Sequence, residues 1–124
     1  MTDPAEASPW PIEIRLKTAE KALEVDFDDG SSFRLPAELL RVESPSAEVQ
    51  GHSPTEKRLV AGRRHVNVME IEPVGNYAVR LRFDDTHDTG IYSWAYLHWM
   101  GRNRDRLWAD YLAALERQGL SRDP

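Results

Sequence analysis

The chain has 124 residues, the size of one domain, and its 40% hydrophobic and 30% charged residues are ordinary for a globular protein. The sequence contains no cysteine, which excludes disulfides, thiolate-bound zinc and cysteine-held iron–sulfur clusters. The net charge of −5 argues against a general nucleic-acid-binding protein, because such proteins usually carry an excess of basic residues.

Residues 1–9 are rich in proline, alanine, serine and acidic residues and show no periodicity, so we expect a disordered tail. This segment has no apolar run that would indicate a signal peptide. Nor does any apolar stretch approach the roughly 20 residues that a membrane-spanning helix needs. We therefore expect a cytoplasmic protein without membrane association.

The first structured region is predicted to be a hairpin over about residues 12–35. Apolar and polar residues alternate over residues 12–16, 23–27 and 33–35, which is the period of a half-buried strand. The segment 28–31 reads Asp-Asp-Gly-Ser and is typical of a turn, because glycine accepts positive φ and aspartate bonds its own backbone.

A second hairpin is predicted over about residues 66–83. Alternating apolar residues flank the turn sequence Gly75-Asn76, and Pro73 marks the end of the strand before it. Between the two hairpins, Pro36 and Ser44 begin short helical turns, and residues 50–64 read as a polar loop.

Two helices are predicted at the C-terminal end. Ser93 has the position of an N-cap for the first helix, which Gly101 is expected to stop. Asn103 is expected to cap the second helix, which ends at Gly119. The second helix carries one apolar stripe, made of Leu107, Trp108, Tyr111, Leu112 and Leu115.

Strands come first and helices last, which predicts an α+β fold. We expect a small, mostly antiparallel β-sheet from the two hairpins, with the two C-terminal helices packed on it. The domain spans residues 10–119, with tails at 1–9 and 120–124. The four tryptophans are expected to supply core, and Trp108 to pack between helix and sheet.

The sequence lacks the common catalytic motifs. It contains no glycine-rich phosphate loop, no Gly-x-Ser-x-Gly elbow and no zincin histidine pair. None of the four histidines is followed two residues later by an acid, as the facial triad of non-heme iron oxygenases requires. We therefore expect no catalytic residues and no cofactor, and we interpret the chain as a protein that is not an enzyme.

His87 is the first candidate functional residue, because it lies in a polar loop directly before the aromatic sequence Ile91-Tyr92-Ser93-Trp94. A functional histidine here would be a metal ligand or an acid–base group. The alternative is a structural histidine bonded to the loop, with the aromatic residues as core. The structural interpretation is favoured, because aromatic runs are usually core.

Glu48 and His52 form the second candidate. They lie four residues apart, so a helical turn would place them on one face, where they could bind a divalent ion. The alternative is a solvated glutamate that follows two capping serines. This alternative is favoured, because two protein ligands alone hold a metal poorly.

The third candidate is a basic segment with Lys57, Arg58, Arg63 and Arg64, an interaction surface for phosphate or an acidic partner. The alternative is a solvated loop that balances nearby acids. Contact with RNA through its three arginines is a minor hypothesis, because no aromatic stacking platform lies beside them.

Several of these segments resemble the DUF971 family, whose members are similar to the N-terminal domain of gamma-butyrobetaine hydroxylase. The resemblance, to the stand-alone bacterial form, covers roughly residues 10–115. It is carried by the segments 11–16 and 25–30, then by 35–42, and most specifically by Ser-Pro-Ser-Ala-Glu-Val at 44–49 and His-Asp-Thr-Gly-Ile-Tyr-Ser-Trp at 87–94.

The resemblance implies a zinc site that this chain has lost. The family domain binds zinc through a Cys-x-Cys-x-x-Cys cluster and a later histidine, and these places fall on Ser44, Ser46, Val49 and His87. Three of the four ligands are replaced, one of them by a valine that cannot coordinate metal. We expect no zinc, and we expect a serine hydroxyl or backbone carbonyl near 44–49 to bond the imidazole instead.

The resemblance also implies an accessory role. In the hydroxylases this domain accompanies a separate iron- and 2-oxoglutarate-dependent catalytic domain, and a similar domain occurs at the C-terminal end of P-loop scaffold proteins of iron–sulfur assembly. We expect a non-enzymatic interaction domain for an unknown protein partner in iron–sulfur or metalloenzyme maturation, as a monomer or weak dimer. The alternative is a domain that binds iron or zinc through Glu48, His52 and His87.

Overall fold

The computed structural model of the chain describes residues 9–51 and 54–124. The predicted N-terminal tail, apart from its last residue, and His52 lie outside these ranges. Within them, no helix is both long and apolar enough to cross a bilayer.

The first sheet is an antiparallel meander in the order β1-β2-β3. Its strands are Pro11–Lys17 (β1), Ala22–Phe27 (β2) and Ser32–Pro36 (β3). The predicted alternation is confirmed, because Leu23, Val25 and Phe27 are buried while the residues between them are half-buried. The turn between β2 and β3 contains Gly30, whose φ of +86° is a conformation that side chains rarely tolerate.

The second sheet is also antiparallel, in the order β4-β5-β6. Its strands are Val68–Val74 (β4), Ala78–Phe83 (β5) and Ile91–Ser93 (β6). The α+β class and the antiparallel pairing are thus confirmed. The two predicted hairpins lie in separate three-stranded sheets, since the second hairpin takes β6 as its third strand instead of pairing with the first.

Four α-helices accompany the sheets in the residues that the structure describes. They are Ala37–Val42 (α1), Ala47–Gln50 (α2), Trp94–Arg102 (α3) and Arg104–Arg117 (α4). The predicted cap of α3 is confirmed, because Ser93 Oγ accepts from the backbone N–H of Tyr96 at 3.1 Å. The predicted end of α4 is confirmed as well: Gly119 has a φ of +66°, and the N–H of Leu120 donates to the carbonyl of Leu115 at 2.9 Å.

One predicted helix signal is wrong, and another is correct only in position. Gly101 lies inside α3 rather than after it, and a Cβ built at this position would lie 2.2 Å from the Phe33 ring. This glycine therefore permits close approach of α3 to β3. Asn103 takes the predicted N-cap position of α4, but its side chain makes no capping hydrogen bond: its amide nitrogen donates to the carbonyl of Trp99 at 2.8 Å, and its Oδ1 accepts from Arg106 at 3.2 Å.

The two sheets and the helices share one hydrophobic core, in which Phe27, Phe83 and Tyr92 are the bulkiest fully buried side chains. The expectation that the tryptophans supply core is only partly correct. Trp10 and Trp99 are 48% and 41% exposed, and the other two are partly buried.

The packing of α4 follows the predicted stripe except at one position. Leu107, Tyr111 and Leu115 are buried, whereas Leu112 is exposed. Trp108 packs against the core from its edge and carries the guanidinium of Arg122 over its ring, 4.9 Å from the centroid. The side chain of Arg122 thus covers the Trp108 indole, which is predicted to lie in the core.

Residues 120–124, predicted as a tail outside the domain, are held against it. The backbone N–H of Gly62 donates to Ser121 and that of Arg64 donates to Arg122, both at 2.9 Å. Arg122 also donates two hydrogen bonds to Glu38, at 2.9 and 2.7 Å. The last residues therefore fasten the loop that precedes β4.

Candidate functional site

The candidate site lies where the chain after α1 meets the loop between β5 and β6. That loop is tightly wound, since the N–H of Phe83 donates to the carbonyl of His87 at 2.9 Å. The side chain of Asp85 accepts from the N–H of His87 at 3.1 Å. These bonds fix the position from which the imidazole reaches the segment 44–48.

The predicted contact between His87 and this segment is present. His87 Nε2 lies 2.9 Å from Ser44 Oγ and 3.4 Å from Ser46 Oγ. All three residues are buried, with exposures of 7% for the histidine, 0% for Ser44 and 5% for Ser46. Hydroxyl groups therefore occupy the side of the imidazole where relatives are expected to carry thiolates.

The other ring nitrogen contacts an acid, because Glu48 Oε2 lies 3.2 Å from His87 Nδ1. Burial, and then the positive charge of Arg41, lower the pKa of His87 below its ordinary value, although Glu48 and Asp85 oppose them. The imidazole is therefore neutral at pH 7. Its partners favour the tautomer in which Nδ1–H donates to the carboxylate and Nε2 accepts from a hydroxyl. We call Ser44, Ser46, Glu48 and His87 the His87 cluster.

Two tyrosines that the sequence analysis assigned only to core or helix also hold this region. The hydroxyl of Tyr92 donates to the carbonyl of Leu40, and that of Tyr96 donates to the carbonyl of Glu43. Carbonyls at a helix end lack intrahelical partners, and the phenols supply donors at the end of α1. Burial raises the pKa of both phenols well above the usual range, so they remain protonated donors.

The order serine–histidine–glutamate resembles a hydrolase triad, but the surroundings of Ser44 exclude that chemistry. A nucleophile must reach a substrate carbonyl and leave room for a tetrahedral intermediate. Ser44 has no exposed surface, and a Cβ built at Gly90 would lie 2.4 Å from its Oγ. The hydroxyl is therefore sealed beneath the backbone of the β5–β6 loop.

The residues of the cluster do not fit the zinc site that the family resemblance implies. Val49 is a core residue with 2% exposure and offers no donor atom. The serine hydroxyls are neutral, whereas zinc ligands must be deprotonated or basic. In a tetrahedral site, bond lengths of about 2.0 and 2.3 Å place nitrogen and sulfur roughly 3.5 Å apart. The 2.9 Å between Ser44 Oγ and His87 Nε2 is a direct hydrogen bond.

The alternative metal site is brought together only in part. Glu48 and His87 converge, whereas His52 lies outside the described residues. Across residues 9–51 and 54–124, no group of three potential metal-ligating side chains meets.

A surface cavity of about 270 Å³ opens beside the cluster. Its wall includes Arg41, Arg58 and Arg63 together with Glu48 and His87. We call this cavity the arginine pocket. It joins part of the predicted basic segment to the predicted histidine site, and Arg41 is a member that the sequence analysis missed.

One carboxylate links the pocket to the cluster. Asp85 Oδ2 accepts from Arg41 Nε at 2.7 Å and from Arg63 Nε at 2.8 Å. Burial raises the pKa of Asp85, but the hydrogen bonds from Arg41 and the His87 backbone outweigh it, so the pKa lies below its ordinary value. Asp85 is therefore ionised, and two guanidinium groups share one of its oxygens.

The other residues of the predicted interaction surface lie outside the pocket. Lys57 Nζ is 2.7 Å from Glu43 Oε2, and Arg64 pairs with Asp123. Arg58 is exposed and makes no ion pair with any residue that the structure describes. The basic segment is thus mostly neutralised by internal acids, and Arg58 is its exception.

Comparisons with known proteins agree with this architecture. The model of the gamma-butyrobetaine hydroxylase-like N-terminal family matches residues 14–98. Two solution NMR structures are each 47% identical to the chain, with TM-scores of 0.82 and 0.83. The first alignment covers 95% of this chain and 93% of the other, and the second covers 100% and 92%.

A crystal structure at 1.93 Å of a protein with unknown function from Acidithiobacillus ferrooxidans ATCC 23270, which belongs to the DUF971 family, is 42% identical, with a TM-score of 0.64. It aligns over 81% of this chain and 98% of its own. No curated protein sequence matches significantly. From the family model and these structures it follows that the chain belongs to the gamma-butyrobetaine hydroxylase-like N-terminal family, DUF971.

Proposed function

We propose that this chain is a non-enzymatic accessory domain of the cytoplasm that binds another protein. The observation that carries the proposal is the arginine pocket, a charged cavity whose exposed member, Arg58, has no ion-pair partner among the described residues. Surface arginines that are not neutralised internally are a common means of recognising acidic partners.

The His87 cluster also supports the proposal, because it offers no accessible reactive group and holds the loops that form the pocket. Ser44 is inaccessible to substrate, and the imidazole is engaged at both nitrogens. Hydrogen bonds of this kind fix two loops relative to each other. Loops held in this way present the pocket with a smaller loss of conformational entropy on binding, which favours recognition.

The partner is proposed to be a protein of iron–sulfur or metalloenzyme maturation, with the domain itself a monomer or weak dimer. Support for this choice comes from the family resemblance, since similar domains accompany an iron-dependent catalytic domain or an iron–sulfur scaffold protein. On this proposal, the domain positions a client near such machinery and carries no metal itself.

Affinity capture from the native host with three baits tests the proposal. The baits are the wild-type domain, Arg58→Glu in the pocket, and Arg106→Glu on α4 as a control of equal charge change. We expect one protein to be enriched by the wild type and the control and lost with Arg58→Glu. Equal enrichment by all three baits would contradict a role for the pocket, and binding should be repeated with the purified partner.

The convergence of Glu48 and His87 motivates one further candidate function, binding of iron or zinc with His52 as the third ligand. Metal analysis of protein purified without an affinity tag distinguishes the two proposals. Stoichiometric metal in the wild type that disappears in His87→Ala would establish the metal site and overturn the accessory role without metal. Substoichiometric metal in both proteins would remove this second candidate.

A further inference from the structure

The positive charge of the arginine pocket exceeds the negative charge that faces it. Arg41, Arg58 and Arg63 meet two carboxylates, Asp85 and Glu48. One positive charge therefore remains without a partner among the described residues of the pocket. Its interaction with an incoming anion is stronger here than on open surface, because a partly buried site is screened less by water and salt.

Arg41 makes this excess of positive charge energetically unfavourable, because its guanidinium is buried. The residue is 8% exposed, and its Nη1 is buried without an acceptor in the part of the chain that the structure describes. Its Nε bond to Asp85 is shared with Arg63, so neither guanidinium is fully compensated. A buried charged donor that lacks an acceptor is unfavourable, and a ligand that brings negative charge relieves it.

We infer that the arginine pocket binds a carboxylate group from an acidic segment of a partner protein. The inference rests on the proposed function and names the chemistry that the partner presents. Arg58 and Arg63 make the first contacts, because Nη1 of Arg41 is closed to water in this arrangement. Arg41 then acts as the buried charge behind them.

Charge and size favour a carboxylate over a phosphate. The excess is one positive charge, which a single carboxylate balances and a dianionic phosphate overcompensates. The volume of about 270 Å³ lies just below the roughly 300–1,000 Å³ of ligand pockets, which suits one side chain rather than a large molecule. Leu59, Val60 and Ala61 complete the wall and can contact the methylene groups of an acidic side chain.

A second basic cavity of about 360 Å³ lies at the junction of α3 and α4 and differs in these respects. Arg102, Arg104 and Arg106 are all exposed there, and Arg34 already pairs with Glu24 at 2.9 Å. A buried, undercompensated arginine is not part of its described lining. This cavity therefore supplies the matched control rather than a second proposal.

Titration of the isotope-labelled full chain, followed by backbone amide shifts, tests the inference. The probes are a capped five-residue peptide with one glutamate, the same peptide with glutamine at that position, and inorganic phosphate, all at equal ionic strength. We expect the glutamate peptide to shift amides at 58–63 and 85–87 with a dissociation constant on the order of 1 mM, as two charge-assisted contacts would give. Equal shifts from the glutamine peptide, no shifts at all, or stronger shifts with phosphate would each overturn it.

Two variants assign the binding to this pocket. Arg58→Gln should weaken the glutamate peptide at least fivefold, and Arg106→Gln in the second cavity should leave it within twofold. Equal weakening by both variants would indicate nonspecific attraction and overturn the inference. If affinity capture yields an Arg58-dependent partner while the glutamate peptide does not bind, the proposed function stands and the carboxylate chemistry fails.

Discussion

The His87 cluster and the arginine pocket lie side by side, but they differ in how completely their polar and charged groups are paired. In the cluster, the buried groups Ser44, Ser46 and His87 hydrogen-bond one another, and water is excluded from Ser44. In the pocket, Asp85 serves two guanidinium groups and Arg58 makes no ion pair with the described residues. The same loops thus carry two regions. In the His87 cluster the polar groups have hydrogen-bond partners, whereas in the arginine pocket the positive charges are incompletely balanced.

The difference teaches how hydrogen bonds alone can join two loops. Ser44 and Ser46 bond His87, and these bonds hold the segment 44–48 against the β5–β6 loop. The arginines of the neighbouring pocket lack enough described acids to balance their charge. Function is therefore expected where compensation is incomplete, and stability where it is complete.

The largest effect is expected from introducing thiolates at the three positions that the family resemblance assigns to zinc ligands. In the triple variant Ser44→Cys, Ser46→Cys and Val49→Cys, one zinc ion should bind with His87, because the serine side chains already surround Nε2. Structural zinc contributes about 10–16 kcal/mol in small zinc domains, so the melting temperature should rise strongly with zinc and fall again with chelator. Metal stoichiometry and thermal melts measure this.

The wild type and the triple variant that also carries His87→Ala serve as controls. The wild type should not respond to zinc, and the variant without the imidazole should bind it more weakly, because three thiolates and a water can still hold the ion. A triple variant that folds but takes up no zinc would show that the four positions do not share one centre. The expectation that the cluster stands in the place of a metal site would then be wrong.

Removal of the imidazole should have the next largest effect. His87→Ala removes the imidazole that bonds Ser44 and Ser46 and leaves a buried cavity, so the free energy of unfolding should fall by about 2–4 kcal/mol. Urea denaturation at pH 7 measures the loss. His65→Ala, at an exposed histidine, should change stability by less than about 0.5 kcal/mol. Equal effects of the two variants would show that the cluster does not stabilise the fold.

A smaller effect is expected from pH. The pKa of His87 is lower in the folded protein than its unfolded value of 6.5, so the unfolded state binds more protons in the window between the two values. This contribution to stability is complete above about pH 6.5. It is lost as the pH falls through the folded pKa, with a slope below the roughly 1.4 kcal/mol per pH unit of one full proton.

Denaturation of the wild type and His87→Gln between pH 7.5 and 5 isolates this contribution, because other groups titrate alike in both proteins. The wild type should lose more stability than the variant as the pH falls. A wild type that gains stability on acidification relative to His87→Gln would show that the imidazole is charged in the fold, contrary to the neutral cluster.

The smallest effect on stability is expected in the pocket. Arg58→Gln removes an exposed side chain without an ion pair to the described residues, so unfolding free energy should change by less than about 0.5 kcal/mol. The same urea series used for His87→Ala measures it. A loss above about 1.5 kcal/mol would assign Arg58 a structural role and erase the distinction between the two regions.

Local pattern predicted much of this fold. The alternation at 23–27 and the cap at Ser93 depend on neighbours in sequence, and both were correct. Gly101 was misread as a helix stop, because its reason is the Phe33 ring, distant in sequence. The tryptophans were misplaced for a related reason: hydrophobicity does not reveal that a cation such as Arg122 will cover an indole at the surface.

The candidate site divides in the same way. The contact of His87 with Ser44 followed from positions matched to a family pattern, and the structure contains it. The arginine pocket could not be predicted, because it depends on Arg41 meeting Asp85 across 44 positions of sequence. No periodicity or motif in the sequence indicates that a buried arginine will share a carboxylate with a second arginine.

The anchoring of residues 121 and 122 to Gly62 and Arg64 has a practical consequence for any fusion protein. These bonds lie next to Arg63, so a bulky label attached after Pro124 would pull on the loop that forms one wall of the cavity. Baits and reporters are better joined ahead of β1, at the opposite end of the polypeptide, where the loops that hold the arginines remain undisturbed.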